Sequence, residues 1–283
     1  MITCNLMGGL GNQLFQIFTT ISYAMKTKHE FNFLNVKTLG GTNNTLRYTF
    51  WDTLFAKLQP ILIEKFPEKM ALVKEAGFPF SELHISRFQS PNICLYGYFQ
   101  SYKYFQEFFP LIYKILEINK QKRLVFEKTG LTKDELQNTI SMHFRLGDYK
   151  KYSHVHPIMN KDYYINSLKE IKLKYPENNF QVMYFCEDGD LNEVQEVIKL
   201  CEKKYTNYKF IRANNSLQDW EQMLLMSICR HNIIANSTFS WWGAYFNVEK
   251  DKTVCYPSLW FANKTNSETY DLFPLEWTKI IVL

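Results

Sequence analysis

Over the second half of the chain, short apolar runs alternate with longer stretches whose apolar residues recur at helical spacing. The runs at 139–144, 180–186, 208–212, 232–235 and 253–256 have strand length, and the stretches at 161–175, 191–205 and 217–230 have helix length. Another helix starts near Ser237. Such alternation predicts a parallel sheet with helices on its faces, a doubly wound Rossmann-like domain closed by the strand at 253–256. The chain opens in a similar way. A strand at 2–6, a glycine-rich turn, a helix at 12–28 and a strand at 31–36 form a β-α-β start. Leu14, Phe15, Phe18, Ile21 and Met25 fall near one face of that helix.

The pattern breaks between 40 and 95, where a loop at 40–44 and prolines at 60, 67, 79 and 91 interrupt anything long. A strand at 92–98 and an aromatic helix at 102–118, bent near Pro110, follow. The more polar segment at 120–139 bridges two halves, giving an N-terminal domain at 1–135 and a C-terminal domain at 136–283.

Composition narrows the function class. With 46% hydrophobic and 22% charged residues in 283, the chain is globular and not disordered, collagenous or coiled. The net charge of +5 suits an anionic small molecule, but no dense Lys/Arg block supports a nucleic-acid surface. No apolar run approaches the roughly 18–20 residues that span a bilayer, and no signal peptide precedes Met1-Ile2-Thr3. A soluble, cytoplasmic protein without a transmembrane anchor is expected, in which the sequons at Asn43, Asn214, Asn236 and Asn263 are silent. The six cysteines lack CxxC or Cys/His metal spacing and read as reduced thiols.

Four segments carry chemistry, each at the end of an expected strand. Gly8-Gly9-Leu10-Gly11-Asn12-Gln13 is a strand-to-helix turn whose backbone N–H groups suit an anion. Leu14 replaces the third glycine of a dinucleotide fingerprint, and Glu30 precedes the second strand where that fingerprint has an acid after it, which argues against NAD. His143-Phe144-Arg145-Leu146-Gly147-Asp148-Tyr149 places His143 and Arg145 on one strand face. A guanidinium fork there suits a diphosphate, while an ordinary Arg145–Asp148 ion pair is the plain alternative.

Asn236-Ser237-Thr238-Phe239-Ser240-Trp241-Trp242-Gly243 reads as a capped helix start forming a second anion cradle, with Phe239 set to lie against a ring and the tryptophans in the core. Asp188-Gly189-Asp190 matches the Asp-x-Asp pattern of some metal-dependent glycosyltransferases. Asp190 with Glu193 also reads as a helix cap, leaving Asp188 to accept hydrogen bonds from a guanine.

Three of these blocks, extended at their ends as Gly8 through Gln16, His143 through Tyr149 and Asn236 through Ala244, resemble the signature blocks of the α-1,2-fucosyltransferases of glycosyltransferase family 11. They occur in that family's order. The resemblance implies a GT-B fold, two Rossmann-like domains facing across a cleft, with an acceptor-side N-terminal domain and a donor-binding C-terminal one. It implies inverting transfer of L-fucose from GDP-β-L-fucose to the 2-hydroxyl of a terminal galactose in a glycan, with no cofactor and no divalent metal.

On this sequence the resemblance implies that Arg145 holds the β-phosphate, His143 sits beside the nucleotide and Asp188 reads guanine. Asn236, Ser237, Thr238 and Phe239 line the pocket, while Asn12 and Gln13 with the Gly9 and Gly11 turn reach toward fucose and pyrophosphate. Arg145, Asp148 and Asn12 are the expected catalytic set, Asp148 being the base unless the leaving phosphate itself takes the proton. Two features depart from the family pattern: membrane-bound animal relatives carry an N-terminal anchor, and Cys186 stands where a serine is expected. Two other readings are fucosyl transfer of another linkage (α-1,6 or protein-O) and a non-catalytic sugar- or nucleotide-binding module.

Overall fold

The computed structural model describes residues 1–40, 46–85, 90–262 and 269–282. It is a mixed α/β fold with parallel sheets, divided into two compact units. The first holds Met1–Gln121 and a short later stretch ending at Pro274; the second begins at Lys122 and resumes at Leu275. The change of unit falls inside a helix (Ile118–Thr129), whereas composition placed it at 135.

In the first unit, β1 (Ile2–Cys4) leads through the glycine turn into α1 (Leu10–Thr27). Then come four two-residue strands, β2 (Phe33–Leu34), β3 (Thr38–Leu39), β4 (Arg47–Tyr48) and β5 (Leu62–Ile63), followed by β6 (Ala71–Lys74) and β7 (Ile93–Tyr96). The parallel sheet runs β1-β7-β6. The strand expected at 31–36 touches β1 only through an Ile2–Phe31 bridge and pairs instead with β5. The apolar face of α1 packs Phe15 and Phe18 against Phe105 at 5.9 and 5.6 Å between ring centres. The expected helix at 102–118 is a single turn, Tyr102–Tyr104, and then α2 (Phe109–Ile115). Pro110 lies in the first turn of α2, where its missing N–H costs nothing, and so starts that helix instead of bending a longer one.

The chain enters the second unit within α3 (Ile118–Thr129), and that unit goes on with α4 (Lys133–Gln137), β8 (Thr139–His143), α5 (Lys161–Lys174), β9 (Gln181–Phe185), α6 (Leu191–Lys204) and β10 (Lys209–Arg212). It continues with α7 (Asp219–Met226), β11 (His231–Ile233), α8 (Thr238–Tyr245), β12 (Val254–Pro257) and β13 (Thr278–Ile280). The order β10-β9-β8-β11-β12-β13 is parallel throughout. The sheet therefore does not close at β12; β13 adds an edge that its short, half-polar pattern hid.

From β8 the chain builds outward to β9 and β10, then returns to build β11 to β13 on the other side. The order thus reverses between β8 and β11, and the carboxyl ends of those neighbours frame the crevice where such folds hold ligands. All six cysteines are free, and all but Cys186 are buried. Among the described residues no helix is long and apolar enough to cross a membrane.

Candidate active site

The second and third sequence blocks meet at the strand reversal. β8 ends at His143, and its ring lies 5.6 Å from that of Phe239 in the first turn of α8. Two residues on, the Arg145 guanidinium lies 4.9 Å above the ring of Tyr149, whose hydroxyl donates to the Asn236 carbonyl at 3.1 Å. Tyr149 in turn stacks on His156 at 4.6 Å. Arg145, Tyr149, Asn236 and Phe239 therefore share one rim of the sheet, although some ninety residues separate the blocks.

Arg145 is gripped from two sides by carboxylates, Asp148 on its own loop and Glu187 at 2.5 Å from the turn after β9. The Asp148 and Glu187 side chains are 42% and 61% exposed, so water competes with each pair and neither is worth more than about 1 kcal/mol. A diphosphate can replace them at little cost. Gly147 makes this turn possible, with φ of +35° and a would-be Cβ only 2.9 Å from a Glu187 oxygen.

The acidic pair after β9 divides its work. Asp188 is paired with Arg212 at the end of β10 and accepts from Asn215 at 3.1 Å. The hydrogen bond from Arg212 and then that from Asn215 hold its carboxyl below the usual range. Asp190 is buried, accepts the Gly147 N–H at 2.7 Å and pairs with Lys150 at 2.8 Å. It stands at the helix start as expected, but its side chain does not cap α6, and Glu193 binds Lys150 at 2.6 Å. The sequence reading of a cap at this place is corrected: Asp190 is a tether for the arginine loop. Each aspartate has its own cation. Arg212, Lys150 and Glu187 were missed because their roles depend on strand neighbours, although the polar end of β10 was the available clue.

At α8 the Ser237 hydroxyl oxygen accepts the Phe239 N–H at 3.3 Å, so the helix caps itself at that amide. Asn236 is buried, its amide donating to the carbonyls of Pro157 at 2.8 Å and Trp260 at 3.2 Å. It pins two loops around the rim. Thr238 and Phe239 are half-buried beside it, and Trp241 and Trp242 are in the core as expected. Burial, and then the charge of Arg145, push the His143 imidazole down to about 3, and its Nδ1 has no partner among the described residues.

A buried neutral histidine makes stability pH-dependent. An unfolded histidine titrates near 6.5, so the stabilisation is complete above that pH and is lost as pH falls toward 3. His143→Phe is expected to flatten that loss by up to about 1.4 kcal/mol per pH unit in urea unfolding between pH 6 and 4. Parallel curves for the two proteins would contradict it.

The glycine block lies in the first unit. Gly9 caps α1 from extended backbone, and the buried Gln13 amide donates to the carbonyls of Gly8 at 3.1 Å and Tyr48 at 2.8 Å. Gln16, which the sequence reading left without a role, exchanges two hydrogen bonds with the Met7 backbone. Asn12 accepts from Gln100 at 3.1 Å, and Gly11 is buried at the helix start. Gly8 has φ of +76°, and a Cβ there collides with the Asn12 amide. Gly8→Ala is therefore expected to cost about 1–3 kcal/mol in thermal or urea unfolding.

The sequence matches the family description Glycosyl transferase family 11 over residues 1–281. It is 31% identical over 210 residues to the O-antigen biosynthesis glycosyltransferase WbnK of Escherichia coli, covering 71% of this chain and 66% of that one, just short of two thirds of its length. It is 28% identical to an alpha-1,2-colitosyltransferase of Escherichia coli, over 99% of each chain. It is 24% identical to a galactoside 2-alpha-L-fucosyltransferase of Caenorhabditis elegans, over 99% of this chain and 79% of that one. Among solved structures, Arabidopsis thaliana FUT1 in complex with GDP superposes with a TM-score of 0.50 at 9% identity, covering 96% of this chain and 74% of that one, a likeness of fold. A match that runs from the first β-strand to the last makes the assignment plain: the chain belongs to glycosyltransferase family 11.

Proposed function

We propose that this enzyme transfers L-fucose from GDP-β-L-fucose to the 2-hydroxyl of a terminal galactose, with inversion and without a metal. The observation that carries the reading is Arg145 at the strand reversal, lying over the Tyr149 ring and paired with two solvent-facing carboxylates. A relative that acts on galactosides and a fold relative in complex with GDP support it. GDP lies along the rim, its β-phosphate on Arg145. Ser237 and Thr238 line its pocket, and Phe239 and neutral His143 face its rings. Asp188, kept ionised by Arg212, accepts the N–H groups of guanine. Asn236 acts through the two loops it pins.

Transfer breaks the bond between fucose C1 and the β-phosphate oxygen and forms a bond from C1 to the galactose O2. Negative charge grows on GDP, and Arg145 meets it in place, which is how preorganised donors lower a barrier. Once phosphate has taken the guanidinium, Asp148 is released to accept the hydroxyl proton late in the reaction; the leaving phosphate is the competing acceptor. Asp190 is buried against Lys150 and the Gly147 N–H, which leaves the Asp-x-Asp pair with one open carboxylate, that of Asp188.

The test is incubation with GDP-fucose, EDTA and galactose-ended glycans, read by product mass and linkage. An α-1,2 product formed in EDTA is expected. An α-1,6 or protein-O product, or GDP binding with no turnover across the panel, overturns the proposal. The full-length colitosyltransferase relative favours a second donor reading, colitosyl transfer to the same hydroxyl, and competition between the two donors separates them.

A further inference from the structure

The second unit holds a cavity of about 420 Å³, within the about 300–1,000 Å³ range of small-molecule sites. It lies between α5 and the turn that joins α6 to β10. That turn is fixed twice over. Tyr208 N–H donates to the Tyr205 carbonyl at 2.9 Å, and the Tyr205 hydroxyl donates to the Ile165 carbonyl at 2.8 Å, tying the turn to α5. Because the sheet is parallel throughout, the start of β10 lies at the end opposite the carboxyl ends of β8 and β11. The cavity is therefore separate from the crevice beside Arg145.

Charge on its walls is one-sided. Lys169 and Lys172 of α5 and Lys204 of α6 line the space with Asn166 and Asn207, and the described walls contain no carboxylate. None of the three lysines forms an ion pair among the described residues, and Lys172 lies 5.7 Å over the Tyr208 ring. Like charges around one space repel until a counter-charge enters. Lys172 and Lys204 stand in last turns, where a cation suits the helix dipole, but Lys169 lies outside the last turn of α5.

The same cavity is lined by an unsatisfied hydroxyl. Tyr208 is 6% exposed, and its hydroxyl is buried with no hydrogen-bond partner among the described residues. Buried polar groups are nearly always paired, and one left alone costs stability. Burial pushes this hydroxyl up to about 12, so it stays a neutral donor. Donors from lysine, amide and phenol with no facing acid call for an anion with several acceptor oxygens, which a phosphate group supplies. Tyr205 and Tyr208 stack on each other and are buried, so they offer no open face to a base or a sugar ring.

We propose that this cavity is a second anion site, binding a small soluble molecule whose phosphate groups sit among Lys169, Lys172 and Lys204 and accept from the Tyr208 hydroxyl. It stands independently of the function proposed above.

Inorganic pyrophosphate is the probe, titrated calorimetrically into the whole protein at low ionic strength. Arg145→Ala disables the crevice at the strand reversal and isolates this site; Tyr208→Phe and the double variant Lys169→Gln/Lys204→Gln are made in that background. Urea unfolding reports folding. We expect Arg145→Ala to retain pyrophosphate binding and the two added lysine changes to weaken it at least about tenfold, as charge-assisted contacts are lost. Tyr208→Phe should weaken it about three- to tenfold with no loss of stability, because an unpartnered hydroxyl contributes none. Unaltered affinity in both variants overturns the proposal, as does pyrophosphate binding that Arg145→Ala abolishes. A Tyr208→Phe protein that unfolds in milder urea also overturns it, since the hydroxyl would then serve the fold. Capture on phosphatidylglycerol vesicles that the lysine changes abolish, without pyrophosphate binding, overturns it in favour of a lipid surface.

Discussion

Arg145→Ala is expected to lower fucosyl transfer by at least about 10²–10³, the usual effect of deleting one preorganised charge-stabilising donor, roughly 3–4 kcal/mol of barrier. Stability should hardly move. The two ion pairs lost with the side chain face water, and each is worth at most about 1 kcal/mol. Removing the guanidinium takes away the positive charge that both Asp148 and Glu187 face, which adds modest repulsion at the site and disfavours GDP further. Arg145→Lys keeps the charge but not the fork. It should recover part of the loss without restoring bidentate contact to a phosphate. The check is kcat and KM for GDP-fucose together with urea unfolding of both variants. Near-wild-type turnover in Arg145→Ala would remove the main support for the proposed mechanism, whatever its effect on stability.

The second unit was more legible in the sequence than the first for a physical reason. A strand buried on both faces, such as β9, reads as a nearly continuous apolar run, and long helices between the strands repeat at a fixed period. The first unit builds its wall from two-residue strands, β2 to β5, too short to show a period. The loop expected at 40–44 lies largely outside the described residues. Helix ends were displaced where capping depended on distant groups. The stretch expected to be helical to 230 stops at Met226, after which Arg230 N–H bonds the carbonyls of Leu136 and Thr139.

At the site, local sequence showed which blocks carry polar chemistry and where strands end. It did not show which partner each charge would find. Arg145 and Asp148 sit three residues apart and were foreseeable as a pair; Glu187 and Asp190 lie more than forty residues away, and only the β8–β9 register brings them in. The same holds for Arg212 and Asp188, joined across β9 and β10.

The division of labour in that acidic turn gives the second large effect. Asp190 is buried and serves two donors, so Asp190→Ala leaves the Gly147 N–H without its acceptor and Lys150 with Glu193 alone. A fully buried N–H left without an acceptor costs about 1–3 kcal/mol, and the half-buried Gly147 N–H falls at the low end of that range. Breaking a fully buried ion pair would cost about 3–5 kcal/mol, but the Lys150 side chain is 38% exposed and can turn to water. A net loss of about 2–3 kcal/mol follows, read in urea unfolding. Asp190→Asn retains an oxygen for Gly147 and should lose about half as much. Because Gly147 precedes Asp148 and follows Arg145 by two residues, the alanine variant should also lower transfer through a loosened loop. Added manganese should restore nothing, and EDTA should leave the wild-type rate unchanged. A variant of full stability whose activity returns with a divalent cation would instead make Asp190 a metal ligand. The guanidinium would then no longer be the principal counter-charge to the departing nucleotide.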